Sequence, residues 1–432
     1  MRLFIALCPA VGLLLVADQA PGATLRVPSE YPTIQSAIHA GIWGDTVLVA
    51  PGTYTNCEFG PCVPWAVEMK PGVSVVSEAG PGVTTLRVDT PAGGLAVVRF
   101  SGVVGAETVL RGFTIRATAP GYRGIEVRGS SDVVIADCRI VDVASGYSTG
   151  SGIYALDSDF IVADCEIVRC TATSAAGLSS DASSVILVRC LFAQNDGGGA
   201  GCLAYLGYSL LAEDCVFRDN YGGRALAVSE IPEVEIRGNL FVGNEAGQSV
   251  SALSVTSGNV TPVAYAVVTH NIFLGNEATG SIGSTVGWRS PGTFEHNTFW
   301  GNFGSRASAV YGLGTEDAPT TIHANIFAGG TGGPAYRASF SEPTVSCNLF
   351  WENEGGDYFG HYIPSPTDLF TDPLFCDPAT GDLTLQSGSP CLPEHSNGCG
   401  QIGALGQGCG TVSVDAWSWG RIKASYREGE DR

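Results

Sequence analysis

An all-β, single-stranded right-handed parallel β-helix, with about 10–13 coils and an N-terminal capping helix, is the fold this sequence predicts. A short phrase recurs along the chain: ADCRIVDV, ADCEIVRC, VRCLFAQN, EDCVFRDN, RGNLFVGN, THNIFLGN, EHNTFWGN, HANIFAGG and SCNLFWEN. Its anchors are Cys138, Cys165, Cys190, Cys215, Asn239, Asn271, Asn297, Asn325 and Asn348, spaced by about 26 residues, a solenoid period. Each column around the anchor has its own chemistry. Two residues on stand Ile140, Ile167, Phe192, Phe217, Phe241, Phe273, Phe299, Phe327 and Phe350, and five residues on stand Asn195, Asn220, Asn244, Asn276, Asn302 and Asn353. No helical periodicity separates these runs. A unit of three short strands cannot bury its apolar face alone, so copies must stack, with identical side chains about 4.8 Å above one another.

The elements follow in chain order. Residues 1–23 open with Met1-Arg2 and an apolar run from Leu3 to Ala17, the pattern of a signal peptide. Residues 24–56 read as the N-terminal cap and first coil. In YPTIQSAIHAG (31–41), Ile34, Ala37 and Ile38 lie at helical spacing, and DTVLV (45–49) alternates as a strand. Residues 57–371 carry the coils. The asparagines tolerate the left-handed backbone of a tight corner, and each amide can bond to the next coil. The anchor cysteines read as small buried residues of the same ladder, left as free thiols. Residues 372–411 form a Cys-rich closing segment, and residues 412–432 a basic, aromatic tail around WSWGRIKASYR. Disulfide candidates are Cys57 with Cys62, and Cys376, Cys391, Cys399 and Cys409, whose pairing spacing cannot choose.

The N-terminal residues resemble the opening of secreted bacterial β-helix proteins of the pectin-lyase-like superfamily. The shared residues are Thr33, Ile34, Gln35, Ala37, Ile38, Ala40, Gly44–Val47 and Pro51–Tyr54, and pectin methylesterases share this opening. Asp372–Phe375, Gly381–Leu385, Ser389-Pro390 and Ile402–Ala404 resemble the ending of such proteins. The resemblance implies architecture and leaves the activity open.

Composition narrows the function. Glycine is 58 of 432 residues, nearly twice the usual share of about 7%. Asp plus Glu number 42 against 22 Lys plus Arg, a net charge of −20, which repels phosphate backbones and excludes nucleic acid as a partner. After the leader no run approaches 18 apolar residues, so no transmembrane helix is expected. The strand-opening phrases GIEV, GIYA and GLSS place Glu126, Arg128, Tyr154, Asp181 and Tyr205 outward on neighbouring coils. Glu126 and Asp181, with Arg128, are the catalytic candidates; Tyr154 and Tyr205 are the sugar-contact candidates. Two coils between the acids is roughly 10 Å, at the edge of the roughly 6.5–9.5 Å of inverting glycosidases. No cofactor is expected; the column Asp137, Asp164, Asp214 is the one place for calcium, though Arg189 interrupts it. His270 and His296 share that column and read as surface residues. The expectation is a secreted or cell-surface protein with a structural, adhesive or polysaccharide-binding role. A polysaccharide lyase or glycoside hydrolase is the alternative.

Overall fold

The computed structural model of the 432-residue chain describes residues 22–57, 63–89, 96–105, 107–118, 121–146, 150–198, 200–247, 249–257, 265–312, 320–339 and 342–409. The apolar leader up to residue 21, Cys62 and the tail 412–432 lie outside these.

Each coil gives one strand to each of three sheets. The first sheet has 13 strands, from Thr24–Val27 to Thr344–Ser346; the second has 12, from Val67–Glu68 to Tyr358–Gly360; the third has 13, from Gly52–Thr55 to Leu369–Phe370. Successive strands pair in parallel, making a solenoid of about 12 turns. Register stacks like on like: Ile125 faces Ile153, then Leu178, then Cys202. These side chains are all fully buried. In the third sheet the phenylalanine column forms a continuous stack, with ring centroids 4.4–5.3 Å apart from Phe192 to Phe350. The first strand, Thr24–Val27, opens the segment read as cap and first coil and precedes Asp45–Val49, where the alternation of a strand is first visible. It was illegible because four residues beside an apolar leader carry too short a pattern.

Corners are built by pairs of residues. The left-handed backbone falls on the residue before the ladder, and not on the asparagine itself. Asp137, Asp164, Arg189, Asp214, Gly238, His270, His296, Ala324 and Cys347 have φ between 47° and 66°. This turn aims the next side chain inward beneath the corner. There Asn297 Oδ1 accepts from the Asn271 backbone N–H (3.0 Å) and from Asn271 Nδ2 (3.0 Å). The ladder runs unbroken from Asn239 to Asn348. A second runs from Asn195 to Asn302. At the third corner Ser130, Ser158 and Ser183 do the same with hydroxyls.

The anchor cysteines continue the first ladder with sulfur. Cys138 N–H donates to Cys165 Sγ (3.3 Å) and Cys190 N–H to Cys215 Sγ (3.4 Å), and Cys215 N–H hands over to Asn239 Oδ1 (2.9 Å). Cys138, Cys165, Cys190 and Cys215 are free and buried. Burial, and the neighbouring thiols with it, push Cys165 and Cys215 well above the ordinary thiol range. Cys170 belongs to the second ladder, its N–H donating to Asn195 Oδ1 (3.0 Å), and burial pushes its thiol up to about 12.

Glycine is required where coils touch. A Cβ on Gly152 would lie 2.4 Å from the Gly177 carbonyl oxygen, and one on Gly177 would lie 2.7 Å from that of Gly201. Gly152 stands just before the second-sheet strand Ile153–Leu156, and Gly177 lies within the next one, Ala175–Asp181.

One α-helix is found among the described residues: α1, Ile34–Ala40, begun by a Thr33/Ser36 capping box. Ile34, Ala37 and Ile38 are buried. Gln35 accepts from Glu68 N–H (2.8 Å) and donates to Glu68 C=O (3.1 Å), so its amide occupies the edge of the first second-sheet strand.

The Cys-rich segment does not sit beneath the last coil. It lies along the outer face of the third sheet. Leu240, Ile272, Ile326 and Leu349 form an outward apolar column there, buried with Phe375, Leu383, Leu385 and Ile402 of the segment. Covering such a column is worth about 1.5–3 kcal/mol per large side chain, which is why the segment folds back. Gly403 N–H donates to Ala324 C=O (2.8 Å), and Ala404 N–H to Thr298 Oγ1 (2.9 Å). Disulfides join Cys347 to Cys399 and Cys376 to Cys409. Cys347 lies on a coil, outside the Cys-rich segment, and so is not among the disulfide candidates read from spacing. Cys391 is free and buried, and Cys57 is disulfide-bonded.

Candidate functional site

The outer face of the second sheet gathers the predicted candidates and several residues the sequence reading missed. Register places Glu68, Arg99, Glu126, Tyr154 and Ser179 in one outward column. Strand alternation explains this, since Val98, Ile125 and Ile153 point inward and are fully buried. Although it points outward, Glu126 is only 1% exposed. Arg128 Nε lies 2.7 Å from its Oε1, Arg123 lies 3.2 Å from the same oxygen, and Arg99 Nε lies 3.8 Å from Oε2. The Tyr154 ring is shared by two guanidinium groups, with Arg123 Cζ 4.0 Å and Arg128 Cζ 5.1 Å from its centroid. Partial burial works against the charge of Arg128, but the hydrogen bond and charge of Glu126 hold its guanidinium above the ordinary range.

The two candidate acids are not brought together. Asp181 shares a column with Arg128, Leu156 and Tyr205, two residues along the strand from the column of Glu126. Two coils plus that offset separate their backbones by about 12 Å, beyond the reach of an inverting pair. Tyr205 is 38% exposed and neighbours Asp181 on the next coil. The structure therefore unites Glu126, Arg128 and Tyr154 and leaves Asp181 and Tyr205 to one side.

Arg99, Arg123, Trp65 and Glu68 were missed. Arg99 lies in a coil before the first Cys or Asn anchor, so no column pointed to it. Alternation from Ile125 would turn Arg123 inward. Its guanidinium instead reaches Glu126 on the same strand, 3.2 Å from Oε1.

At the first corner Asp137 and Asp164 are taken by arginines of neighbouring coils, Arg111 at 2.6 Å and Arg189 at 2.7 Å. Among the described residues no group of three His, Cys, Asp or Glu side chains is placed to hold a metal ion. His270 and His296 stack at 5.0 Å, and His323 meets His296 edge-on at 5.8 Å. Burial holds His270 and His296 below the ordinary imidazole range, and the flanking histidines lower His296 further.

Residues 102–261 match the family model described as the right handed beta helix region. This chain is a right-handed parallel β-helix. Among curated proteins none matches it in sequence. Solved structures similar to the β-helix include the catalytic domain of a GH87 α-1,3-glucanase, at 11% identity and TM-score 0.42, covering 82% of this chain and 69% of that one. The A-module of a mannuronan C-5 epimerase from Azotobacter vinelandii is 15% identical with TM-score 0.40, covering 78% and 93%. A PL6 family alginate lyase is 12% identical with TM-score 0.43, covering 91% of this chain and 58% of the lyase. At these identities and scores none of them lends a residue or an activity to this β-helix. No helix among its described residues is long and apolar enough to cross a membrane.

Proposed function

We propose that the protein is secreted or displayed at the cell surface and binds an anionic polysaccharide along the outer face of its second sheet. The observation that carries this reading is the array of Arg99, Arg123 and Arg128 around Glu126 beneath the Tyr154 ring. Three guanidinium groups against the two carboxylates of Glu68 and Glu126 leave a local cationic excess on a chain of net charge −20. Guanidinium forks match carboxylates, and an aromatic ring offers an apolar platform to a sugar. The face is flat and periodic, which suits an extended chain. The reading is of binding rather than hydrolysis, because Glu126 is sealed from solvent and Asp181 stands too far from it. Helix α1 is read as the cover of the first coil.

Calorimetry with polyuronate and with a neutral glucan at low salt tests this. Polyuronate is expected to bind and the neutral chain not, with Arg128→Ala and Tyr154→Ala each weakening binding about tenfold. Equal affinity for the neutral chain, or no binding of either, overturns the proposal. Release of unsaturated uronates that is lost in Arg128→Ala shows a lyase instead.

A further inference from the structure

The outward column of Glu68, Arg99, Glu126 and Tyr154 runs up the solenoid axis and stops. Its first member, Glu68, lies in the first strand of the second sheet, and the free edge of that strand is occupied by the Gln35 amide of α1. An extended ligand following the column therefore meets α1 and cannot continue. At that point lies a cleft of about 310 Å³, lined by Thr33, Gln35, His39, Tyr54, Trp65 and Glu68 among others. Glu68 belongs to both the column and the cleft wall, and on the next coil Arg99 places its guanidinium 5.4 Å from the Trp65 ring centroid.

Arg99 is also the least satisfied cation of the array. Its ion-pair distances are 3.7 Å to Glu68 and 3.8 Å to Glu126, long beside the roughly 2.7–2.9 Å of a charge-assisted hydrogen bond. It has one long bond to Ser101 Oγ (3.4 Å), and its Nε has no acceptor. Its side chain is 33% exposed. Nε itself is buried against Glu126, but the Nη groups have partners no nearer than 3.4 Å, so a ligand carboxylate at the mouth of the cleft would give them a close acceptor, with the Trp65 ring alongside for the sugar face.

We propose that this cleft is a terminal subsite, which holds the end residue of a carboxylate-bearing glycan against Trp65, with its carboxylate on the Arg99 guanidinium. The inference rests on the binding surface proposed above and adds that the protein reads chain ends. Each coil advances about 4.8 Å, so the column from Glu68 to Tyr154 spans three such steps leading away from the end.

The test uses the full-length protein and polyuronate cut to different mean lengths, titrated by calorimetry at constant uronate mass. An end reader binds in proportion to the number of chain ends, so the protein bound per uronate rises as chains shorten. Trp65→Ala is expected to weaken binding about tenfold, and Trp65→Phe to recover most of it, which separates loss of the platform from loss of folding. Capping the reducing end with a bulky amine tells which end is held: lost binding assigns the reducing end, retained binding the other. Stoichiometry that follows mass whatever the length, with Trp65→Ala unchanged while Arg128→Ala weakens binding, overturns the terminal subsite and leaves the binding surface standing. Absence of polyuronate binding in the unaltered protein overturns both.

Discussion

Replacing Asn297 by alanine probes the internal ladder directly. Asn297 is fully buried. Its Oδ1 is the acceptor for the backbone N–H and the Nδ2 of Asn271, both at 3.0 Å. Its Nδ2 donates to Val268 C=O (2.9 Å), to Glu295 C=O (3.0 Å) and to Asn325 Oδ1 (3.0 Å). After the change, Asn271 Nδ2 still reaches the carbonyls of Ile236 and Thr269, so that group stays satisfied. The Asn271 backbone N–H is left in the core without its acceptor. An orphaned buried group costs about 1–3 kcal/mol. The space vacated beneath the corner adds to this, for a total near 3 kcal/mol. Cys215→Ala is the comparison, because it removes a sulfur acceptor at 3.4 Å from Cys190 N–H and is expected to cost about 1 kcal/mol. Urea unfolding followed by tryptophan fluorescence gives the two losses, and hydrogen exchange reads the Asn271 amide itself. Should Asn297→Ala cost no more than Cys215→Ala, with the Asn271 amide as protected as before, the ladder would be an ornament of stacking and not a source of stability.

Gly152→Ala forces a Cβ to within 2.4 Å of the Gly177 carbonyl and 3.0 Å of Ile167 Cγ2. It should lower stability by about 1–3 kcal/mol, whereas Gly82→Ala, which meets nothing within 4 Å, should leave the melting temperature unchanged. The histidine column makes stability depend on pH. His270 and His296 are held below their ordinary range in the folded state by burial, so the unfolded chain takes up protons first. Their contribution is complete above about pH 6.5 and is lost as pH falls through the lower folded-state values. Glu295 faces His270 and favours its charge, while His323 and the Gln401 backbone flank His296. The urea midpoint should fall between pH 8 and 5, and fall less in His296→Asn; equal slopes would refute the assignment.

The architecture was legible because stacking converts three-dimensional neighbours into a repeating letter. Asn297 and Asn325 must both be asparagine to bond each other, and Phe273 and Phe299 must both be flat to stack. The same logic failed at corners. A left-handed residue needs only a tolerable backbone, so Asp164, Arg189, His270 and Ala324 share one conformation without sharing chemistry. The site was half legible. Glu126, Arg128 and Tyr154 were found by alternation, but counting coils between Glu126 and Asp181 ignored the two-residue displacement along the strand. The fold-back of the Cys-rich segment does leave a sign in the sequence. The residue just after the anchor is Leu240, Ile272, Ile326 and Leu349, an apolar column on the outside of a sheet, which requires a cover. The Cys347–Cys399 pairing depends on that cover and could not precede it.

That cover changes how the stack can come apart. In a simple pile of coils each turn leans only on its neighbours, so loss from either end proceeds one step at a time. Here a single strap reaches Thr298, Ala324 and Cys347, residues on three successive turns. Those turns must let go together or not at all. Fraying is thereby directed to the opposite end of the molecule, and a protease working from the carboxyl-terminal side meets a barrier several turns deep.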